Sequence, residues 1–299
     1  MDFAFLKTLP HLKCTLYLKT CPPFSRSIYL QEDPRVGLIE LSRPQRANAF
    51  DGGMFDLFPR AVAALSETSG VQCILVCAHG EGPFCSGIDT NYLKGMLEQM
   101  RTIEAKGCPG RAREYLRNHV LGLQESFSSL EKCRWPVIVA IHGACIGGGV
   151  DLAAAADIRI CSQKASFSVK EVDLAITADL GSLQRLPHLI GHGATADLAL
   201  TARTISSAEA RSMGLVTQVI GEDNATLTAG ALKLAKSLVC KSPLALIGTK
   251  RALLHKRDSA NSVASELEYV ATHNAAMLVS EDLEQTMRAR GKATTFSRL

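Results

Sequence analysis

From residue 28 onward, continuous apolar runs alternate with stretches whose apolar residues recur every three or four positions. Val36–Leu41, 71–77, 137–142 and Ile158–Cys161 are apolar runs of strand length. The unbroken ones fit strands covered on both faces. Residues 55–65 keep their apolar side chains on one helical face, and 147–155 read as a helix start after three glycines. Strands and helices in alternation predict an α/β core over residues 28–200. Beyond that the period turns helical, over 194–201, Ser207–Met213, 227–238, 245–255 and 260–288. Ser206-Ser207-Ala208-Glu209 and Asp258-Ser259-Ala260-Asn261 offer helix caps. The last helical stretch has apolar positions on more than one side, which suits packing against another part of the protein or another subunit. Residues 201–299 are therefore expected to form a helical region. Residues 92–118, charged and glycine-containing, read as a mobile loop and helix.

Composition and charge narrow the class. Of 299 residues, 46% are hydrophobic and 21% charged, which predicts a folded globular protein and excludes wholesale disorder. The most membrane-like stretch, 135–156, carries His142, Asp151 and three glycines, so a buried core segment is expected and membrane insertion is not. The net charge of +4 sits at the ends: residues 1–30 carry +3, residues 285–299 carry +4, and the body sums to −3. A nucleic-acid binder more often carries its basic face in the body, so no nucleic-acid partner is expected. Ten cysteines form no paired CxxC modules, and Cys73, Cys77, Cys145 and Cys161 sit in apolar runs as small hydrophobes. A reducing compartment follows.

Both termini carry possible addresses. Residues 1–27 hold Lys7, Lys13, Lys19 and Arg26 against one acid, which fits either a mitochondrial presequence or a ragged terminus. Ser297-Arg298-Leu299 is a conservative variant of the Ser-Lys-Leu peroxisomal address, which predicts recognition by a peroxisomal import receptor. A peroxisome or related organelle such as a glycosome is the expected location, with the mitochondrion as the alternative.

Three constellations could carry chemistry. Phe84-Cys85-Ser86-Gly87-Ile88-Asp89 follows a predicted strand, and Gly87 permits a tight backbone that could aim the next amide at a ligand; taken alone, it also fits a simple turn. His142-Gly143-Ala144-Cys145-Ile146-Gly147-Gly148-Gly149-Val150-Asp151 runs from a strand through three glycines into a helix start. Such an end presents unpaired N–H groups and fits phosphate binding or an oxyanion hole. It is neither a Walker A loop nor a dinucleotide fingerprint. Asp151, Glu171, Asp173 and Asp179 are acids in an apolar setting, suited to raised pKa values and proton transfer, or else to capping and hydrogen-bonded core roles. His188 and His192 have the spacing of a zinc helix, but no glutamate follows His188 and Gly191 weakens the helix, so no metal site is expected.

Taken in order, these pieces resemble the crotonase superfamily, the enoyl-CoA hydratases and isomerases, over residues 30–290. The matching segments are Arg43-Pro44 through Asn48-Ala49-Phe50, Phe84 to Asp89, Ala140-Ile141-His142-Gly143 through Gly147-Gly148-Gly149, Ala156-Asp157-Ile158-Arg159, and Ser242-Pro243-Leu244-Ala245. The resemblance implies a crotonase-type spiral of ββα repeats with a C-terminal helical oligomerisation region, assembled as a homotrimer or homohexamer. It implies an acyl-CoA thioester as substrate, with the backbone N–H groups of Ile88 and Gly148 forming an oxyanion hole for its carbonyl. It places substrate binding at Ser86, Gly87, Ile88, Asp89, Thr90 and Gly148, and gives residues 92–118 the acyl pocket. CoA belongs to the substrate, so no metal or redox cofactor is implied.

Within the superfamily, hydratases carry glutamates at the positions of Asp151 and Glu171 and usually glycine at that of Asp179. The segments around Asp151, Glu171 and Asp179, with Leu183-Gln184-Arg185-Leu186-Pro187, look like the delta(3,5)-delta(2,4)-dienoyl-CoA isomerase branch. That resemblance implies Glu171 as base at C2 and Asp179 as acid at C6, with Asp151 orienting or polarising the pair. An enoyl-CoA hydratase, a delta(3)-delta(2)-enoyl-CoA isomerase and a non-catalytic binding protein of the same fold are the alternatives.

Overall fold

A computed structural model describes residues 12–15, 33–259, 263–277 and 281–289 of the chain. Its centre is a six-stranded sheet in the order β1 (Leu12–Thr15), β2 (Val36–Leu41), β3 (Cys73–Ala78), β4 (Val137–Ile141), β6 (Ile158–Cys161) and β9 (Gln218–Val219). All pairings from β2 to β9 are parallel, and β1 runs antiparallel along the β2 edge. β1 lies within the N-terminal segment 1–27; the rest of that segment, and the terminal Ser297-Arg298-Leu299, fall outside the described residues.

The unbroken apolar runs have a physical cause. Every residue of β3 and β4 is buried, because helices cover both faces of the sheet. One face, with Ile39, Leu41, Ile74, Val76, Val139 and Ile141, joins a core containing Phe50, Phe58, Phe127 and Trp135. The other, with Leu38, Leu75, Ile138 and Ile160, packs on Leu227, Ala231, Ala235 and Val239. Each fully buried Leu, Ile or Val contributes about 2 kcal/mol relative to exposure. Helix α1 (Gly52–Glu67) starts where Asp51 accepts the Met54 N–H at 2.9 Å, the usual N-cap arrangement.

Three features differ from the sequence expectation. Residues 92–118 lie in two long helices, α2 (Thr90–Ala105) and α3 (Pro109–Lys132), with a break only around Gly107. Their polar composition reflects one-sided burial: Leu123, Phe127 and Leu130 face the core while the opposite side meets solvent. A second, three-stranded sheet is formed by β5 (Ala144–Ile146), β7 (Ser166–Ser168) and β8 (Ile205–Ser206), which are too short to announce themselves by period. The region after residue 200 is not wholly helical, since β8 and β9 lie in it and α7 (Asn224–Val239) covers one face of the main sheet.

The remaining helices are α4 (Gly148–Ala154), α5 (Ser182–Thr201), α6 (Ser207–Met213), α8 (Pro243–Asp258), α9 (Val263–Met277) and α10 (Glu281–Ala289). The expected cap at Ser206 is present, its hydroxyl accepting the Glu209 N–H at 3.2 Å. The segment 135–156 resolves into strand, turn and helix inside the core, and no described helix is long and apolar enough to cross a membrane. Gly191 breaks α5 with φ 79° and ψ 158°, so the zinc-helix geometry suggested by His188 and His192 is lost.

Candidate active site

Two glycine-containing segments meet side by side behind the sheet. Cys85 and Cys145 form a parallel bridge: Cys85 N–H donates to the Ala144 carbonyl (3.2 Å) and Ile146 N–H to the Cys85 carbonyl (2.9 Å). Three residues further along each segment stand Ile88 and Gly148. A Cβ on Gly87 would lie 3.3 Å from the Gly148 nitrogen, and one on Gly148 would lie 3.8 Å from the Ile88 nitrogen. The two amides expected as oxyanion donors therefore border one small space.

Each amide is left free for a reason. On its other side the Phe84–Asp89 segment bridges Phe50: Phe50 N–H donates to the Gly87 carbonyl, and Asp89 N–H to the Phe50 carbonyl, both at 2.8 Å. This parallel bridge uses the groups flanking Ile88 and leaves the Ile88 N–H facing away from Phe50. Gly148 opens α4, so its N–H has no acceptor within its own helix. Gly87 has φ +93°, a conformation that favours glycine.

Arg43 braces this arrangement from behind. Its guanidinium contacts Asp89 at 2.9 Å and Asp51 at 3.2 Å and donates to the Ala49 carbonyl at 2.7 Å. Burial works against the Asp89 carboxylate, but hydrogen bonds from Arg43 and the Asn91 N–H outweigh it and hold its pKa below the ordinary value. Asp89 thus spends its oxygens on Arg43 and on capping α2. Ser86 donates its N–H to the Ala47 carbonyl at 3.0 Å, and Thr90 is exposed at the first turn of α2. Arg43 stood in the sequence only as a motif letter; its partners lie 8 and 46 positions away.

The acids gather on the opposite side. Asp151, on α4, is 1% exposed; its Oδ1 accepts the Ser182 N–H at 2.5 Å. Glu171 opens a 3-10 turn, and its Oε1 lies 3.1 Å from the position a Gly147 Cβ would take, next to the Gly148 amide. Asp151 Oδ2 and Glu171 Oε2 are both buried with no hydrogen-bond partner among the described residues. Burial, then the neighbouring Glu171 charge, pushes the Asp151 pKa up to about 7. Burial raises Glu171 as well, with Asp179 adding like charge. Partial desolvation by the surrounding atoms raises Asp179 too, although the residue keeps exposed surface.

The structure therefore brings Asp151, Glu171 and Asp179 into one electrostatic cluster. It does not bring Asp173 there: that carboxylate is exposed and pairs with Lys170 at 2.6 Å. Asp179 differs from its neighbours, since Ala178 and Leu180 are buried and Asp179 itself is exposed. It can therefore exchange protons with solvent, whereas Asp151 cannot do so directly. Tyr92 on α2 and His119 on α3 share a 2.7 Å hydrogen bond, and Tyr92 packs against Phe55.

Two amides bordering one space beside carboxyls of raised pKa can chemically accommodate an anionic oxygen and a proton transfer. Residues 31–289 match the enoyl-CoA hydratase/isomerase family, and the chain belongs to it. Over 258 residues it is 45% identical to the peroxisomal Delta(3,5)-Delta(2,4)-dienoyl-CoA isomerase of Arabidopsis thaliana, covering 86% of this chain and 90% of that one. Over 267 residues it is 39% identical to the mitochondrial Delta(3,5)-Delta(2,4)-dienoyl-CoA isomerase of Mus musculus, covering 87% and 79%. The crystal structure of an enoyl-CoA hydratase from Bacillus anthracis superposes with a TM-score of 0.77 at 26% identity, covering 88% of this chain and 95% of that one. The crotonase fold expected from the sequence is thus the fold observed.

Proposed function

We propose that this protein is an isomerase that converts 3,5-dienoyl-CoA to 2,4-dienoyl-CoA in fatty-acid beta-oxidation. The observation that carries the reading is Glu171 standing at the glycine turn that bears the Gly148 amide, with Asp151 and Asp179 near enough to act on the same charges. Ionised Glu171 removes a proton from C2, and the electron pair moves onto the thioester oxygen to give an enolate conjugated with both double bonds, a trienolate. The two amides stabilise that oxygen, each worth roughly 3 kcal/mol in a dry, fixed site. Protonated Asp179 then delivers a proton to C6, which sets the double bonds at C2 and C4.

C2 and C6 are separated by four bonds, on the order of 5 Å, so one carboxyl cannot easily serve both. Asp151, with a pKa near 7, keeps its proton more readily than an ordinary carboxyl and can share it with Glu171, favouring the ionised form of the base. After one turnover Glu171 holds the extra proton and Asp179 lacks one. Return of the Glu171 proton to Asp179, directly or through the solvent that the exposure of Asp179 admits, resets both groups. The proposed steps require no cofactor beyond the CoA carried by the substrate. Peroxisomal location, with the mitochondrion as a second address, is supported by the compartments named for the two relatives. Assembly as a trimer or hexamer, and handling by a peroxisomal import receptor through Ser297, Arg298 and Leu299, are part of the same proposal.

The test is a spectrophotometric assay with 3,5-octadienoyl-CoA, following the conjugated 2,4-dienoyl product, on the wild type and Asp179→Asn. Wild-type turnover that falls at least about 100-fold in the variant is the expected result. Hydration of 2-enoyl-CoA by a wild type that leaves the diene unchanged would make the protein a hydratase, with the unpartnered Asp151 and Glu171 oxygens holding the water.

A further inference from the structure

Asp179 lies on a short connection, and that connection is gripped from outside. Gln124 on α3 donates its side-chain N–H to the Asp179 carbonyl at 2.6 Å. Arg185, in the first turn of α5, donates to the Leu180 carbonyl at 3.2 Å. The same guanidinium forks onto Glu131 at 3.0 and 2.7 Å and reaches the Ser128 hydroxyl at 3.0 Å. Gln124, Ser128 and Glu131 fall four and three residues apart, so they share one face of α3. Glu131 also binds Arg257 of α8, so two cations and one carboxylate lock the anchor in place. The guanidinium lies so close under the loop that a Cβ on Gly181 would stand 1.7 Å from it.

The geometry points to Gln124 and Arg185 as positioning residues that set where the Asp179 carboxyl stands relative to Glu171. None of this grip touches Glu171 itself, which is fixed by its own 3-10 turn. Nor does it touch the Ile88 and Gly148 amides. An exposed acid at the end of a connection has little packing of its own to orient it, and the polar face of α3 supplies what packing does not. The consequence is selective: loosening the grip impairs proton delivery at C6 and spares proton removal at C2. The inference rests on the reading of Asp179 as the C6 acid.

The two half-reactions can be measured separately. The full-length protein is incubated with 3,5-octadienoyl-CoA in D2O. Absorbance follows the 2,4-dienoyl product, and mass spectrometry of recovered substrate follows deuterium entering at C2. Gln124→Met keeps the side-chain length, removes the donor and sits at the protein surface; it is expected to slow isomerisation about 10-fold while changing C2 exchange less than about twofold. Arg185→Lys keeps the charge and loses the fork; it is expected to move the ratio in the same direction. Asp179→Asn separates the two ideas. If it leaves isomerisation intact, the C6-acid reading falls and the positioning role falls with it. If it abolishes isomerisation while Gln124→Met and Arg185→Lys keep the wild-type ratio, the positioning role alone is overturned. A parallel fall of both half-reactions in Gln124→Met also overturns it, since that is what a merely structural residue would give.

Discussion

Asp151 accepts the backbone N–H of Ser182 at 2.5 Å, joining the helix after the glycine turn to the first turn of α5 across 31 positions. One carboxyl oxygen thus caps a helix while the other stays buried and unpartnered beside Glu171. Of the two readings open to this acid from sequence, the structural cap is present as the Ser182 hydrogen bond, and the raised pKa is the feature the proposed proton sharing draws on.

The pH dependence of stability follows from that position. The folded Asp151 pKa of about 7 lies above its ordinary value of 3.8. Below 3.8 both folded and unfolded states hold the proton, and the group costs nothing. Between 3.8 and about 7 the unfolded chain sheds its proton first, so stability falls as pH rises. The full loss, present above the folded pKa, is about 4 kcal/mol by linkage. Asp151→Asn cannot ionise and keeps an oxygen for Ser182. Thermal unfolding should show a raised Tm for the variant at pH 8 and none of that gain at pH 4.

The same substitution changes the neighbour of Glu171, whose pKa burial and the Asp179 charge hold up while Asp151 itself lowers it. If Asp151 acts only by repulsion, Glu171 ionises more easily and the acid limb of the kcat/KM profile moves to lower pH. If its proton supports Glu171, kcat falls while the limb stays. A pH–rate series on the variant distinguishes them, and the proposed proton sharing predicts the second pattern with a fall of about 10-fold.

Gly87→Ala should disable the oxyanion site. Its methyl would stand 3.1 Å from the Ile146 carbonyl and 3.3 Å from the Gly148 nitrogen, and its φ of +93° strains any L-residue. Loss of one donor costs about 100-fold in kcat, and the strained backbone costs about 1–2 kcal/mol of stability. Steady-state kinetics and denaturant unfolding on one preparation would separate the two effects.

Lys250 gives a prediction away from the site. This buried lysine on α8 donates to the Leu130 and Trp135 carbonyls at 2.8 and 3.0 Å and pairs with Asp157 at 2.8 Å. Lys250→Met removes the ammonium from all three acceptors, leaving Asp157 the Val137 N–H, and should cost about 3 kcal/mol, lowering Tm by roughly 5–10 °C. Asp157→Asn in the same chain should recover part of it. Turnover per folded molecule should not change, since none of these groups reaches Ile88, Gly148 or the acids.

Much of the site was legible because its main parts are local. Ile88 follows a glycine that turns the chain, and Gly148 opens a helix, so each amide's freedom is written within a few residues. Asp151 and Glu171 share that advantage, lying just after the glycines and the following strand. Asp179 was legible as a residue type, but not its exposure, because burial alternates along 178–180 in a connection with no regular period. Residues 92–118, within the polar helices α2 and α3, read as a mobile loop and helix because one-sided burial leaves few apolar residues to mark them.

By itself, the sequence determined the strands covered on both faces, most of the helices, the glycine turns and the identity of the acids. These follow from side-chain period and backbone permissiveness, which act over a few residues. Tertiary structure decided which segments became neighbours. It set Cys85 beside Cys145, and so one amide beside the other; it placed Arg43 under Asp89 and laid Gln124 and Arg185 against the Asp179 connection. Hydrogen bonds and ion pairs of this kind join residues tens of positions apart, and no short-range pattern encodes which donor will find which acceptor until the sheet and its helices have packed.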